Sequence, residues 1–146
     1  MSSNATFLNT TIQDETADAT SNLTVRWYLD AQVFNSSGSP VQDANVSAYN
    51  VSGVQTFLKV TAVNGAIERQ NVTEYTMRNN ISTYATNYNI ITNHTQYATK
   101  SLTLNLTQST VLNITLNNVP THSNPIFSPA TPSVNQNLTC LNQSTA

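Results

Sequence analysis

Apolar and polar residues alternate through the middle of the chain with the two-residue period of a half-buried β-strand. Between positions 23 and 33 the odd residues are Leu23, Val25, Trp27, Leu29, Ala31 and Val33, with Thr24, Arg26, Asp30 and Gln32 among the even ones. This pattern predicts the first core strand. Trp27 is expected inward as a packing anchor, and Tyr28 and Phe34 outward as candidates for an exposed apolar face. The turn Asn35-Ser-Ser-Gly-Ser-Pro40 follows, then a strand near 44–50, a loop around Gly53, and a strand near 57–63 ending at Asn64-Gly65, a hairpin signal. A strand or irregular stretch covers 66–76 and a polar excursion 77–86. Further strands are expected near 88–92, 100–106 and 111–116. No helical period competes. Seven short strands with turn signals between them predict an all-β fold: a single seven-stranded antiparallel sandwich, Ig-like or transthyretin-like, with extended N- and C-terminal arms.

The sandwich is assigned to residues 22–119. Residues 1–21 are polar, with Phe7, Leu8 and Ile12 as the sizeable apolar side chains, and read as an arm whose ordering needs a partner surface. In the tail, residues 120–146, Pro120, Pro125, Pro129 and Pro132 break any ladder and favour extended chain. Beyond them Val134, Leu138 and Cys140 share a parity that suits an added strand.

Composition changes this picture in one respect. Charged residues make up 8% of the 146, about a third of the usual share, and hydrophobic residues 38%. Asn, Thr and Ser fill the gap. A surface so poor in charge needs another means of solvation, and attached sugar supplies one.

The acceptor pattern for N-linked sugar, Asn-x-Ser/Thr, occurs at Asn4, Asn9, Asn22, Asn35, Asn45, Asn50, Asn71, Asn80, Asn93, Asn105, Asn113, Asn137 and Asn142. Random placement of the chain's own 21 Asn and 38 Ser/Thr residues would give only about five or six such motifs. Strand parity adds an independent check, because a glycan fits only on an outer face. Leu102, Leu104 and Leu106 share one face, which leaves Thr103, Asn105 and Thr107 on the other. Leu112, Ile114 and Leu116 likewise turn Asn113 and Thr115 outward, and Val46 and Ala48 oppose Asn45 and Ser47.

The net charge is −2, and the five basic residues, Arg26, Lys59, Arg69, Arg78 and Lys100, are scattered. No basic run could neutralise phosphates, so nucleic acid is not an expected partner. Asp14, Glu15 and Asp18 form the single acidic cluster and read as a solvated stretch. No segment approaches the roughly 20 apolar residues of a membrane span, and the N-terminus lacks the apolar region of a signal peptide. For a secreted chain this leaves a leader already removed, or a piece cut from a longer precursor. Cys140 is the sole cysteine. It serves either an intermolecular disulfide or as an unpaired thiol in the tail.

Trp27-Tyr-Leu-Asp30, Gly38-Ser-Pro-Val41, Ala44-Asn-Val46, Asn64-Gly65 and Thr73-Glu-Tyr75 together resemble the carboxypeptidase-regulatory-like, transthyretin-like modules of archaeal and bacterial surface proteins. The resemblance covers roughly residues 23–118. It implies a seven-stranded sandwich used as a spacer or assembly module. Where such modules often carry a Lys-x-Gly-Tyr turn, Asn93-His-Thr-Gln-Tyr97 stands here without the glycine, and neither arm has a counterpart.

Catalytic chemistry is not expected. His94 and His122 have no second ligand at zinc-site spacing and read as surface residues, so no metal is assigned. Asp30, Asp43, Glu68 and Glu74 form no evident acid–base pair, and no nucleophile elbow or phosphate loop is present. A lysine isopeptide crosslink would need a buried lysine beside an acid, and neither Lys59 nor Lys100 sits in a plainly apolar setting. No cofactor is called for beyond covalent N-linked glycans.

Two functions follow. One is a structural subunit of an extracellular or cell-surface filament or layer, built from copies of the chain by strand addition between them. The other is a spacer or carbohydrate-binding module of an adhesin or secreted enzyme, with Tyr28, Phe34, Tyr84 and Tyr88 stacking on surface glycans.

Overall fold

A computed structural model of the chain describes residues 3–13, 15–119, 126–128 and 139–141. The strands are β1 (Asn4–Leu8), β2 (Asn22–Asn35), β3 (Asn45–Tyr49), β4 (Gln55–Val60), β5 (Gln70–Arg78), β6 (Ile81–Tyr84), β7 (Tyr88–His94), β8 (Tyr97–Leu104) and β9 (Thr110–Leu116). A separate antiparallel pair joins β10 (Ile126–Ser128) to β11 (Thr139–Leu141).

The first nine strands form two facing sheets. One runs β4-β3-β7-β8, all antiparallel. In the other, β6 and β5 lie on one side of β2. On its opposite edge β1 pairs parallel with 22–26, and β9 pairs parallel with 29–35. The expected count of seven and the expected antiparallel order are therefore corrected to nine strands with one mixed sheet. The two unforeseen strands, β1 and β6, are short and little buried. A strand that buries little carries no period-two signal.

β2 organises the core. Its 14 residues alternate as the sequence requires, and Leu23, Val25, Trp27, Leu29, Ala31 and Val33 are all buried. They meet Val46, Ala48, Phe57, Tyr88 and Ile90 from the opposite sheet. The Asn64-Gly65 turn is a corner and not the hairpin expected of it. After it Ile67 N–H donates to Ala31 O and the chain crosses into the β2 sheet. Only glycine fits at 65, whose φ is +75° and where a Cβ would stand 2.4 Å from Val33 O.

Residues 77–86 hold a tight hairpin. Arg78 pairs with Ile81 across Asn79 and Asn80, both with φ near 50–56°, the backbone of a two-residue primed turn. The segment leading into β2 is tied to this hairpin. Ala17 is buried, its N–H donates to Asn80 Oδ1 at 2.9 Å, and Asn80 N–H donates to Ala17 O at 2.8 Å. The described residues of this segment, 3–13 and 15–21, thus order against the chain's own β2 and β5–β6 turn.

Thr92 faces inward on β7, fully buried, and its hydroxyl has no partner among the described residues. Thr92→Val keeps the shape and removes an unpaired dipole. It is expected to raise the unfolding free energy by about 1 kcal/mol, read from urea denaturation.

Candidate functional site: acceptor asparagines and strand edges

Eleven of the thirteen acceptor asparagines lie in described residues, and none is buried. Asn137 and Asn142 lie outside them, as do His122, the four prolines of the tail, Val134 and Leu138. Asn105 and Asn113 are exposed on the outward parity read from the leucines, although Leu102 and Leu104 are only half-buried. Asn45 is outward too, but Ser47 beside it is buried, pressed between its ladder neighbours Leu58 and Ile91.

The ladders bring acceptors together that are far apart in sequence. Asn4 pairs with Asn22 across β1 and β2, and Asn22 Nδ2 donates to Asn4 Oδ1 at 3.2 Å. Asn45 pairs with Asn93 across β3 and β7. Asn35 and Asn50 occupy two loops of one design. In each, the side-chain carbonyl accepts the N–H groups two and four residues on: Ser37 and Ser39 at 3.0 and 2.9 Å, Ser52 and Val54 at 3.0 and 2.9 Å. A positive-φ glycine, Gly38 or Gly53, closes the loop. The side-chain nitrogen, where sugar would attach, is left out of this network.

The strand edges are the second feature. β1 covers the first half of the outer edge of β2 and β9 the second. The junction is stitched by Ser109, whose hydroxyl donates to Asn9 Oδ1 at 2.6 Å and accepts Tyr28 N–H at 3.0 Å. β1 is held lightly, since Phe7 and Leu8 are half-buried and Asn4, Ala5 and Thr6 exposed. β8 is one edge of the other sheet, and β4 the other. Its Lys59 points inward between Phe57 and Thr61 and pairs with Glu68 at 2.8 Å, an arrangement that blunts an edge.

Glu74, Glu15 and Asp30 are engaged structurally. Glu74 is the extra residue of a bulge in the β2–β5 ladder, where Val25 pairs with Tyr75 and Arg26 with Thr73. The bulge turns its carboxylate to accept Trp27 Nε1–H at 2.5 Å. Glu15 accepts the Tyr75 hydroxyl, and burial, reinforced by that carboxylate, pushes the phenol well above its ordinary range. Asp43 sits in a loop with φ +60° beside Asn45 and Asn93. His94 lies against Tyr97, and Lys100 is exposed. Among the described residues no three His, Cys, Asp or Glu side chains converge.

Asp30 takes a bidentate bond from Arg69, at 2.9 and 2.7 Å, which holds its carboxyl below the usual carboxylate range. A depressed folded value means the pair stabilises the fold above the ordinary carboxylate range, and that contribution is lost as pH falls through the folded value. Both side chains are substantially exposed, so Asp30→Asn is expected to cost no more than about 1 kcal/mol at neutral pH. Urea midpoints should converge with wild type in strong acid.

The aromatic platform expected on the surface is largely absent. Tyr88 is 1% exposed, and its hydroxyl donates to Thr73 O. This corrects its placement outside: it sits inward with Ile90 and Thr92 on β7. Tyr28 is half-buried beneath the Arg69 guanidinium, 4.9 Å from the ring centroid, and Phe34 is half-buried. Tyr84 is exposed and leans on Tyr75. Cys140 lies in the β10–β11 ladder opposite Phe127.

No protein-family model matches the chain, and no curated protein matches it. Among solved structures it is similar to BcpA, the major pilin subunit of Bacillus cereus, at 15% identity over 71% of this chain and 32% of that one, with a TM-score of 0.44. It is also similar to a DUF3823 family protein from Parabacteroides merdae, at 14% identity over 70% and 51% of the two chains, with a TM-score of 0.47. A third is the 3-chlorocatechol 1,2-dioxygenase of Rhodococcus opacus, at 13% over 77% and 64%, also 0.47. The chain spans about a third of the pilin and half of the DUF3823 protein. The ladders themselves define the class, a two-sheet β-sandwich with one mixed sheet.

Proposed function

We propose that this chain is a structural subunit of an extracellular or cell-surface filament or layer, densely N-glycosylated and joined to further copies of itself by strand addition. The observation that carries the reading is the placement of the acceptors. Eleven asparagines spread over six of the nine sandwich strands and four of the segments between them, and each one reaches the surface. In a chain with 8% charged residues, sugar at these positions solvates the fold and shields its backbone. Asn137 and Asn142 belong to the same proposed set. For residues 22–119 we keep the carboxypeptidase-regulatory-like module as the proposed family, on Gly38-Ser-Pro-Val41 and Ala44-Asn-Val46.

Strand addition is supported by β1. It is a short strand on the edge of β2, reached through a linker and anchored by two half-buried side chains. The same slot on one copy can take the same strand from another, at almost no difference in contacts. A carbohydrate-binding role gains less support, since Tyr88 is buried and Tyr28 is capped by Arg69.

The test is electron microscopy of native, undenatured material with glycopeptide mapping of the same sample. Continuous fibres or sheets with sugar on most of the thirteen asparagines are expected. Isolated monomers, or bare asparagines throughout, would reject the reading.

A further inference from the structure

The acceptor motifs divide into two kinds by what stands at their central residue. At Asn22, Asn45, Asn71, Asn105 and Asn113 that residue is Leu23, Val46, Val72, Leu106 and Ile114, each a buried member of the core. At Asn4, Asn9, Asn35, Asn50 and Asn80 it is Ala5, Thr10, Ser36, Val51 and Ile81, all exposed, and at Asn93 it is the half-buried His94. At Asn22, Asn45, Asn71 and Asn113, which lie within core strands, the buried centre follows from strand geometry. Where Asn and the hydroxyl residue both face outward, the residue between them must face inward.

We propose, resting on the glycosylation reading, that sugar transfer to Asn22, Asn45, Asn71, Asn105 and Asn113 precedes folding, while Asn4, Asn9, Asn35, Asn50, Asn80 and Asn93 stay open to modification on the folded chain. The reaction joins Nδ2 to the anomeric carbon of a lipid-linked sugar phosphate. The carbon–oxygen bond to phosphate breaks, the phosphate leaves with the bonding pair, and Nδ2 gives up one proton to a base on the transferase. The enzyme must hold the asparagine amide and the hydroxyl two residues on in one cleft, so it must grasp the backbone of all three residues.

At the first group this means lifting a core side chain out of the sandwich. At Asn45 it also means stripping β3 from both β4 and β7. At Asn113 it means breaking the parallel ladder to β2. Such openings approach global unfolding and are correspondingly rare. The loops of Asn35 and Asn50 differ. Each is closed mainly by hydrogen bonds within five residues, and residues 36–39 and 51–54 are all exposed, so opening one lifts no core side chain and costs at most the end rung of the β2–β9 ladder at Asn35 or the Val51 N–H bond to Ala85 O. Finished sugar at the first group is compatible with the fold, because each of those asparagines faces out or lies partly exposed.

The experiment uses the full chain made without sugar and folded, beside short synthetic peptides centred on each of the eleven asparagines. Both are given a purified oligosaccharyltransferase and its lipid-linked oligosaccharide, and each site is followed by glycopeptide mass spectrometry. All peptides should be accepted. On the folded chain Asn35 and Asn50 should react within about tenfold of their peptides, and Asn45, Asn71 and Asn113 at least about a hundredfold more slowly. Warming the folded chain to its unfolding midpoint should release the slow sites together. Transfer to Asn45 or Asn113 on the folded chain at the peptide rate overturns the ordering and leaves glycosylation standing. Peptides refused throughout, with native material bare of sugar, overturn the glycosylation reading and the ordering with it.

Discussion

Trp27→Ala is expected to lower the unfolding free energy by about 3–5 kcal/mol, the largest loss at any single position of the sandwich. Two effects combine. Trp27 is 6% exposed at the centre of β2, so truncation opens a cavity in a core held by packing alone. The indole N–H is also the donor to Glu74, the bulged residue of β5, and its removal leaves a partly buried carboxylate without that bond. Trp27→Phe separates them. It keeps most of the volume and loses the donor, and is expected to cost about 1–3 kcal/mol. Urea unfolding followed by far-ultraviolet circular dichroism reads both variants without needing the tryptophan signal. Equal losses in the two would place the whole effect in the hydrogen bond. A loss under about 1 kcal/mol in Trp27→Ala would mean that the β2 core is not what holds the sheets together.

β2 is also where the sequence was most legible. Six alternating apolar residues, Leu23 to Val33, gave strand, face and burial together, because burial on one side and solvent on the other leave a period of two that nothing else produces. The same logic placed Asn105 and Asn113 outward. It weakened where a strand is short and buries little on either face. Asn-Ala-Thr-Phe-Leu in β1 and Ile-Ser-Thr-Tyr in β6 carry no alternation, and their pairing energy lies in backbone bonds that the side chains do not record. The Asn79-Asn80 turn was missed for a related reason, since two asparagines at positive φ are a fainter signal than Asn-Gly. Asn64-Gly65 gave the fainter signal's opposite: a strong turn was read correctly as a turn and wrongly as a hairpin, because local sequence does not say which sheet the chain enters next.

The parallel partners of β2 were illegible in principle. β9 meets it across about 80 residues and β1 through a 13-residue connection. Nothing in either segment specifies parallel over antiparallel. The inward turn of Tyr88 was within reach, since Tyr88, Ile90 and Thr92 share a parity, which its reading as a sugar-stacking surface aromatic did not follow. Its bond to Thr73 O is what permits burial. The acceptor asparagines were fully legible as motifs. Their division by a buried or exposed central residue needed the fold.

Removing residues 1–13 is expected to abolish assembly while leaving a folded, monomeric sandwich, whereas removing residues 120–146 is expected to leave assembly intact. The deleted segment contributes little to the core: Asn4, Ala5 and Thr6 are exposed, and Phe7 and Ile12 pack against the core only half-buried. What its removal bares is the edge of β2 at 22–26, five residues whose outward backbone groups then lack partners. Residues 15–17 are fastened to Tyr75 and Asn80 of the same copy, so exchange releases Asn9 from Arg26 O and Ser109 and Ile12 from the core, and the chain between β1 and residue 15 then extends about 20 Å, enough to reach an abutting subunit. A synthetic peptide of residues 1–13 should bind the truncated chain and cap it as a monomer. Full-length chain mixed with truncated chain should give shorter fibres, because each truncated subunit accepts a strand and offers none. Electron microscopy and sedimentation read both results. Fibres that persist without residues 1–13 and vanish without residues 120–146 would move the donor to the tail, and fibres that survive both deletions would end strand addition as the means of assembly.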